Sequence, residues 1–421
     1  MRILWLGHNL AYPPKGGPLQ RNYNLLKEAA KHHEVHALVF DQPASRPAGV
    51  TPEQCVEALS KFCASVEWVP LPTDSFGIGR YWRAIGGLLM GVPYEFRWLR
   101  SRDMAKRLQR LAGRFQFDVV HADTLGLAPY VSLVPSAGTV LNHHDIESAL
   151  VQRRAASEHS PLWRMFWARE AANLLAAERR WCPLFHVNTV VSEDEGKLLK
   201  PSCKESHIRV VPNGVDIGYF TPRQDPGGAR LLFCGRLDQL ANKGAITFFF
   251  NSIWPQLSDR VKKIEIDVVG KNPPAWLREL SQRDPRVHVS GFVDDVRPYF
   301  QKATIFVCPI TDGGGTRLKI LDALAMGMPI VSTTFAASGL DLRDGIHLLI
   351  ADTPESIVAQ ILRLLSDTAL RQRLAQEAVA VVRQTYSWDT IGHSLVAAYE
   401  DAAARRMKTR RDFPYADQVE R

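Results

Sequence analysis

The chain contains no Cys-x-x-Cys pair, no Asp-x-Asp motif, no internal repeat and no low-complexity tract ahead of its charged tail after Arg405. Each absence removes a class of function. The six cysteines (Cys55, Cys63, Cys182, Cys203, Cys234, Cys308) are scattered without metal-ligand spacing, which predicts reduced thiols in a cytoplasmic protein and no disulfide framework. The uncharged, largely apolar stretch 84–94 falls far short of the ~20 residues needed to cross a bilayer. Residues 1–7 are too short an apolar stretch for a signal peptide and read as a first strand. No run interleaves basic and aromatic residues in the manner of a nucleic-acid reader, so nucleic acid is not expected as a partner.

What is present is an ordinary soluble composition, 46% apolar and 23% charged, over 421 residues. That length exceeds the ~250 to 300 residues at which a single core stops growing, so two domains are expected. A net charge of +8 favours anionic partners. Short apolar runs alternate with amphipathic stretches, the pattern of parallel sheets with crossover helices. In the first half the strands read at 2–6, 34–40, 66–69, 118–122, 139–142 and 186–191, with a long charged helix at 147–180. In the second half they read at 208–211, 230–234, 264–268, 287–289, 304–307 and 330–333. The polar, proline-containing stretch 200–206 marks the boundary, giving domains 1–205 and 206–387. A last helix at 388–407, with no strand after it, is expected to cross back onto the first domain.

Four stretches of the second half carry the chemistry. Val210 to Pro222 is a strand ending in a Pro-Asn-Gly turn that contains Asn213. Cys234-Gly235-Arg236-Leu237-Asp238 follows a strand and precedes Asn242-Lys243-Gly244 at a helix start, where Arg236 and Lys243 can flank one anion. Val287 to Phe300 holds a strand, the turn Ser290-Gly291-Phe292-Val293 and a helix. Gly313, Gly314 and Gly315 then form a loop into a helix from Thr316 to Met326. Glycines admit close approach by a ligand, and the N–H groups and dipole of a helix start favour phosphate. Arg317 and Lys319 add positive charge, and Asp322 offers an acceptor for sugar hydroxyls. A phosphate beside a hydroxylated ring describes a nucleotide. All four lie at the carboxyl ends of strands, where open α/β sheets bind ligands.

In this order the four stretches resemble the donor domain of a retaining, nucleotide-sugar-dependent glycosyltransferase of family 4, over roughly residues 208–386. The resemblance implies a GT-B fold, two Rossmann-like, doubly wound α/β domains facing a central cleft. It implies that Arg236 and Lys243 hold the diphosphate and neutralise the charge growing on the leaving nucleotide. It places the backbone of Phe292 and Val293 at the base, Asp322 at the ribose, and Gly235, Asn213 and the N–H groups from Gly315 through Thr316 and Arg317 to Leu318 around the phosphates. Two positions depart from the family pattern of two glutamates with seven residues between them: the first falls on Gly314 and the second is Asp322. The donor sugar is left unassigned by that change.

In the first domain, Pro13 to Pro18 resembles the family's glycine loop against the donor, with Gly16, Gly17 and, at the following helix start, Arg21. Asn142-His143-His144-Asp145 ends a strand where the family places a histidine at the reacting centre, and His144 fits that role better than His143. The same residues do not read as a metal site, because neighbours on a strand point to opposite faces. No metal and no cofactor beyond the nucleotide-sugar substrate is expected. Residues 80–110 mix aromatics such as Trp82, Phe96 and Trp98 with many arginines, a composition that suits either an inward-packed helical hairpin or a peripheral contact with the inner membrane face and a lipid-linked acceptor. The function implied is transfer of a sugar from a nucleoside diphosphate to a hydroxyl acceptor with retention. A nucleotide-sugar epimerase and a non-catalytic nucleotide-sugar-binding protein stand as alternatives.

Overall fold

A computed structural model describes residues 1–43, 46, 49–71, 91–314 and 316–408. The chain divides into two units, Met1–Pro212 together with the residues from Ile391, and Asn213–Thr390. Each is a parallel sheet with flanking helices. The first unit holds β1 (Arg2–Gly7), β2 (Glu34–Asp41), β3 (Ser65–Pro70), β4 (Val119–Ala122), β5 (Gly138–Asn142), β6 (Val187–Val190) and β7 (Ile208–Val210) in the order β3-β2-β1-β4-β5-β6-β7. The second holds β8 (Arg230–Cys234), β9 (Glu265–Val269), β10 (Val287–Gly291), β11 (Ile305–Cys308), β12 (Ile330–Ser332) and β13 (Leu349–Ile350) in the order β10-β9-β8-β11-β12-β13. Strand order reverses between β1 and β4 in one sheet and between β8 and β11 in the other. These are the switch points at which a crevice opens beyond the carboxyl ends of the strands.

The strands form where the sequence is continuously apolar because both sheet faces are covered. Seven of the eight residues of β2 are buried, Val35, Leu38, Val39 and Phe40 among them. Crossover helices add one apolar face each. In Arg102–Arg114 that face is Met104, Ala105, Leu108 and Leu111, while Arg102, Lys106 and Arg110 point to solvent. Phe96 and Trp98 pack against the same core. The described part of the 80–110 segment therefore follows the inward-packed reading, and residues 80–90 lie outside the described residues.

Three expectations are corrected. The strand at 208–211 was assigned to the second half, but β7 pairs with β6, Thr189 opposite Arg209, and closes the first sheet. It is three residues long and half-buried, so its own sequence does not say which sheet it joins. The boundary accordingly falls at Pro212. The single helix expected at 147–180 is two, Glu147–Ser157 and Pro161–Trp181, because Pro161 cannot continue a helix and instead opens one. The helix from Thr316 begins at Leu318, with Arg317 as its cap.

The last helix, Trp388–Lys408, buries Ile391, Leu395, Ala398, Tyr399 and Ala402, one face by spacing, within the first unit. Its approach is close. A Cβ on Gly138 would stand 2.8 Å from the backbone of Ala402. Gly138→Ala should therefore lower the stability of the first unit by about 1–3 kcal/mol. Gly113→Ala, in a helix with nothing within 4 Å of the added methyl, should be neutral or stabilising by up to about 1 kcal/mol. Urea denaturation of both variants checks the pair; equal effects would show that the helix does not press on β5.

Candidate functional site

In the second unit, β8 runs out at Cys234 and the chain turns through Gly235 at φ +150°, a value glycine adopts and other residues rarely do. The Gly235 amide donates to the Val269 carbonyl at 2.9 Å, and its own carbonyl lies where a Cβ on Gly270 would be. Glycine is thus needed at both strand ends. The turn presents the Arg236 side chain to solvent, paired with Asp238 at 3.0 Å. The Arg236 guanidinium, with Asn272, holds the Asp238 carboxyl down at about 2.

The following helix, Leu240–Phe248, carries a further residue of the site, beyond those expected from the sequence. Asn242 is buried, donates its amide to the Arg236 carbonyl at 2.8 Å and accepts from Lys319 Nζ at 2.5 Å. One side chain therefore ties the β8 turn to the helix after β11. Lys243, the next residue, is exposed and has no ion-pair partner among the described residues.

Beyond β11, Gly313 donates its amide to the Asp312 carboxylate at 2.7 Å, and a Cβ there would meet Ala241 at 3.0 Å. The loop thus lies against the start of the Leu240–Phe248 helix. Arg317 does not project from it. Its guanidinium turns inward, donates to the Gly314 carbonyl and sits 5.3 Å over the Phe335 ring. Asn213 donates to the Thr316 hydroxyl at 2.6 Å, so these two predicted residues meet. Leu318 opens the helix, Lys319 follows, and Asp322 stands half-buried one turn further. Gly315 lies outside the described residues. Phe292 is 59% exposed just past Gly291, and Val293 packs against the core.

The Lys319 ammonium is the electrostatic centre of this rim. It sits 4.9 Å over the Phe233 ring, so close to Gly235 that a Cβ on that glycine would be 2.5 Å from Nζ. No carboxylate pairs with it among the described residues. Burial lowers its pKa, and the nearby Arg317 charge adds to that effect. A half-buried cation of this kind is stabilised by an incoming anion.

The first unit has its own constellation at its switch point. Asp123, directly after β4, is wholly buried and accepts four hydrogen bonds through its two oxygens: His8 Nδ1 at 2.7 Å, His144 Nε2 at 3.0 Å, Asn22 at 2.6 Å and Asn142 at 3.1 Å, with the Arg21 charge nearby. Burial opposes its ionisation, but the imidazoles and hydrogen bonds overcome that and hold it below the usual carboxylate range. Asn9 faces His8 Nε2 at 2.8 Å, which leaves the Nδ1 proton for Asp123. Both oxygens are saturated, so the cluster is complete as a hydrogen-bonded network, even though its ligand atoms lie within 4.8 Å of one another as a metal site would require. With Nε2 committed to Asp123, neutral His144 keeps its lone pair on Nδ1. His8 and Asp123 went unrecognised in the sequence; the signal was a polar residue directly after each of β1, β4 and β5.

One predicted residue changes role. Arg21 was expected at the donor, yet it is 2% exposed and donates to Asn142 and to the carbonyls of Val211 and Pro212. It braces the end of β5 against the chain leaving β7. Burial lowers its pKa to about 10 against the pull of Asp123. His143 is buried on Asn188 at 3.3 Å, which leaves His144 as the half-exposed histidine of the pair. Gly16, at φ +96°, caps the Gly17–His32 helix with open space around it.

Beside Asp123, the Thr124 hydroxyl donates to Glu95 and lies 3.2 Å from Glu147. Burial and the Glu95 charge push the Glu147 carboxyl well above its ordinary range. The Asp123 network and the Glu95–Glu147 pair thus meet at consecutive residues, Asp123 and Thr124, after β4.

Comparison with known proteins matches residues 15–219 to the family described as Glycosyltransferase Family 4 and residues 228–367 to Glycosyl transferases group 1. A phosphatidyl-myo-inositol mannosyltransferase of Mycobacterium tuberculosis is 27% identical over 215 residues, 47% of this chain and 55% of that protein. The chain thus spans about half the length of the curated relatives it matches first. Among solved structures, sucrose-phosphate synthase from Thermosynechococcus elongatus superposes with a TM-score of 0.70 at 15% identity, covering 96% of this chain and all of that one. HepE of Anabaena in complex with UDP gives 0.65 at 16% identity, covering 95% and 100%. At these identities the likeness establishes the fold, which is GT-B.

Burial lowers the His143 pKa to about 4 and the His121 pKa to about 3. A free imidazole titrates near 6.5, so each contributes stability that is complete above that pH and is lost as pH falls toward the folded value. His8 acts in the opposite sense: burial lowers its pKa, but Asp123 raises it further, and the net shift is upward. Stability of the wild-type chain should therefore fall between pH 6 and 4.5. In His143→Gln the slope of that loss should be smaller by about 1.4 kcal/mol per pH unit. Urea denaturation across that range decides; parallel slopes would mean that His143 is protonated in the fold.

Proposed function

The chain belongs to the family-4-like group 1 glycosyltransferases, and we propose that it transfers a sugar from a nucleoside diphosphate to a hydroxyl of an acceptor with retention at the anomeric carbon. The observation that carries the proposal is Lys319, a half-buried ammonium at the switch point of the second sheet with Asn242 and the Gly235 turn around it and no carboxylate partner among the described residues. A diphosphate there meets Lys319, the N–H groups of Leu318 and Lys319 at the helix start, and the exposed cations Arg236 and Lys243. Arg236 is held by Asp238, but an exposed pair of that kind is worth at most about 1 kcal/mol and yields to a doubly charged ligand. Asp322 takes the ribose hydroxyls, and the backbone past Gly291 takes the base.

As the bond from the anomeric carbon to the diphosphate oxygen breaks, negative charge collects on that oxygen, and fixed cations stabilise the transition state more than the ground state. The acceptor oxygen bonds to the same carbon. Its proton leaves either for the departing phosphate or for Nδ1 of His144, which Asp123 orients through Nε2. The name of the mycobacterial relative supports a lipid-linked acceptor. No helix among the described residues is long and apolar enough to cross a membrane, so such an acceptor is reached from the surface.

Purified chain should release nucleoside diphosphate from a nucleotide sugar only when acceptor is present. Release without acceptor indicates an epimerase or hydrolase, and binding without release indicates a non-catalytic protein. Arg236→Ala and Lys243→Ala should each lower kcat about 10²–10³-fold with unchanged melting curves. Lys319→Met should abolish the thermal shift that nucleotide gives the wild type. With three cations on the diphosphate, transfer should also persist in chelator; loss restored by magnesium or manganese would overturn that part of the mechanism.

A further inference from the structure

The first turn of the Pro161–Trp181 helix is apolar on the outside. Leu162 is 69% exposed, Trp163 46% and Met165 66%. Phe166 and Trp167 stand half-buried behind them, Trp163 edge-on to Phe166 at 5.6 Å and Phe166 edge-on to Trp167 at 4.9 Å. None of these residues enters the site at the strand ends. Leu162, Met165 and Phe166 share a face by their i, i+3, i+4 spacing, so they form a patch and are not scattered contacts. A contiguous exposed group of large apolar side chains marks a surface that is covered in use.

The charge around the patch identifies the covering. Arg164 and Arg169 lie on the same helix and are exposed, and Arg154 reaches across from the Glu147–Ser157 helix to place its guanidinium 3.7 Å over the Trp167 ring. The nearby acids are engaged: half-exposed Glu158 accepts from the Ser160 amide at 3.0 Å, and buried Glu170 accepts from the Tyr94 amide at 2.7 Å. The first turn of the helix carries no acidic residue. A second copy of the chain is a poor cover, because a two-fold contact would set these arginines against one another. An anionic bilayer satisfies both components, since tryptophan, leucine and methionine enter the acyl boundary while arginine stems reach up to the headgroups.

We propose that the turn formed by Leu162, Trp163 and Met165, ringed by Arg154, Arg164 and Arg169, is the surface by which the first unit docks on an anionic membrane. It is built from other residues than the 91–110 stretch, and it stands whether or not the chain transfers a sugar. The test is co-sedimentation of the full chain with vesicles of phosphatidylcholine alone or of an equimolar phosphatidylcholine–phosphatidylglycerol mixture. Wild type should pellet with the anionic vesicles, less so as salt shortens the Debye length. The variant combining Leu162→Gln, Trp163→Gln and Met165→Gln should partition at least about tenfold less, with its melting curve and nucleotide binding unchanged because these side chains support no core. The variant combining Arg154→Gln, Arg164→Gln and Arg169→Gln should fall to the level of wild type on neutral vesicles. Brominated lipid should quench tryptophan emission in the wild type, and less in Trp163→Gln. Three results would overturn the proposal. One is wild type remaining in the supernatant with both vesicle types. Another is the apolar variant pelleting like the wild type, which would place the contact elsewhere. The third is a concentration-dependent dimer, or capture of an acidic protein, that the same substitutions abolish while vesicle binding is absent.

Discussion

Helices cover both faces of each parallel sheet, so a charge placed within a strand would have to be stripped of water on all sides. That cost governs where chemistry can stand in this chain. The ionisable residues inside strands are neutral or matched: His121 stacks on Trp5 at 3.8 Å with its pKa lowered to about 3 by burial, and Asp267 is met by Arg230 at 3.0 Å. Other buried charges stand at the rims, Asp123 and Arg21 among them. At the carboxyl rim the strands end with their carbonyls spent and the next helices begin with free N–H groups, which makes that rim the natural seat for anions.

The two rims meet this constraint in opposite ways. In the second unit the turn after β8 is narrow, with Gly235 and Gly270 in backbone contact, and the charge it gathers is cationic, with no carboxylate paired to Lys319 among the described residues. Asn242 keeps that ammonium in place without neutralising it, as an amide oxygen offers a dipole and no charge. In the first unit the charge is anionic and fully answered, Asp123 being saturated by two imidazoles and two amides. One rim is organised to receive an anion and the other to hold its own.

This difference also explains what the sequence could show. Long apolar runs such as β2 and β8 identify themselves, and with them come the α/β class and the division into two units. The glycine-bearing loops were legible for the same reason, because Gly235 and Gly313 with positive φ are local requirements. Residues whose meaning depends on strand order were not. His8, Asp123 and His144 are widely separated along the chain and meet only because β1, β4 and β5 are neighbours in the sheet. Arg21 looked like a ligand residue because it opens a helix after a glycine loop; its burial depends on where β7 ends, and β7 itself was assigned to the wrong sheet. The Leu162–Met165 patch was hidden by Pro161, since a single long helix predicts no exposed turn in its middle.

Asp123 ties these threads together, because one carboxylate serves two imidazoles of unequal character. Burial lowers the pKa of both rings and Asp123 raises both. The balance is upward at His8, with Glu95 assisting, and downward at His144, where His8 and Arg21 add repulsion. Arg21 contributes without touching either ring, since its guanidinium fixes Asn142, and Asn142 donates to the carboxylate oxygen that also holds His144. The Arg21 brace thus reaches His144 through Asn142 and Asp123 and fixes the orientation of its ring.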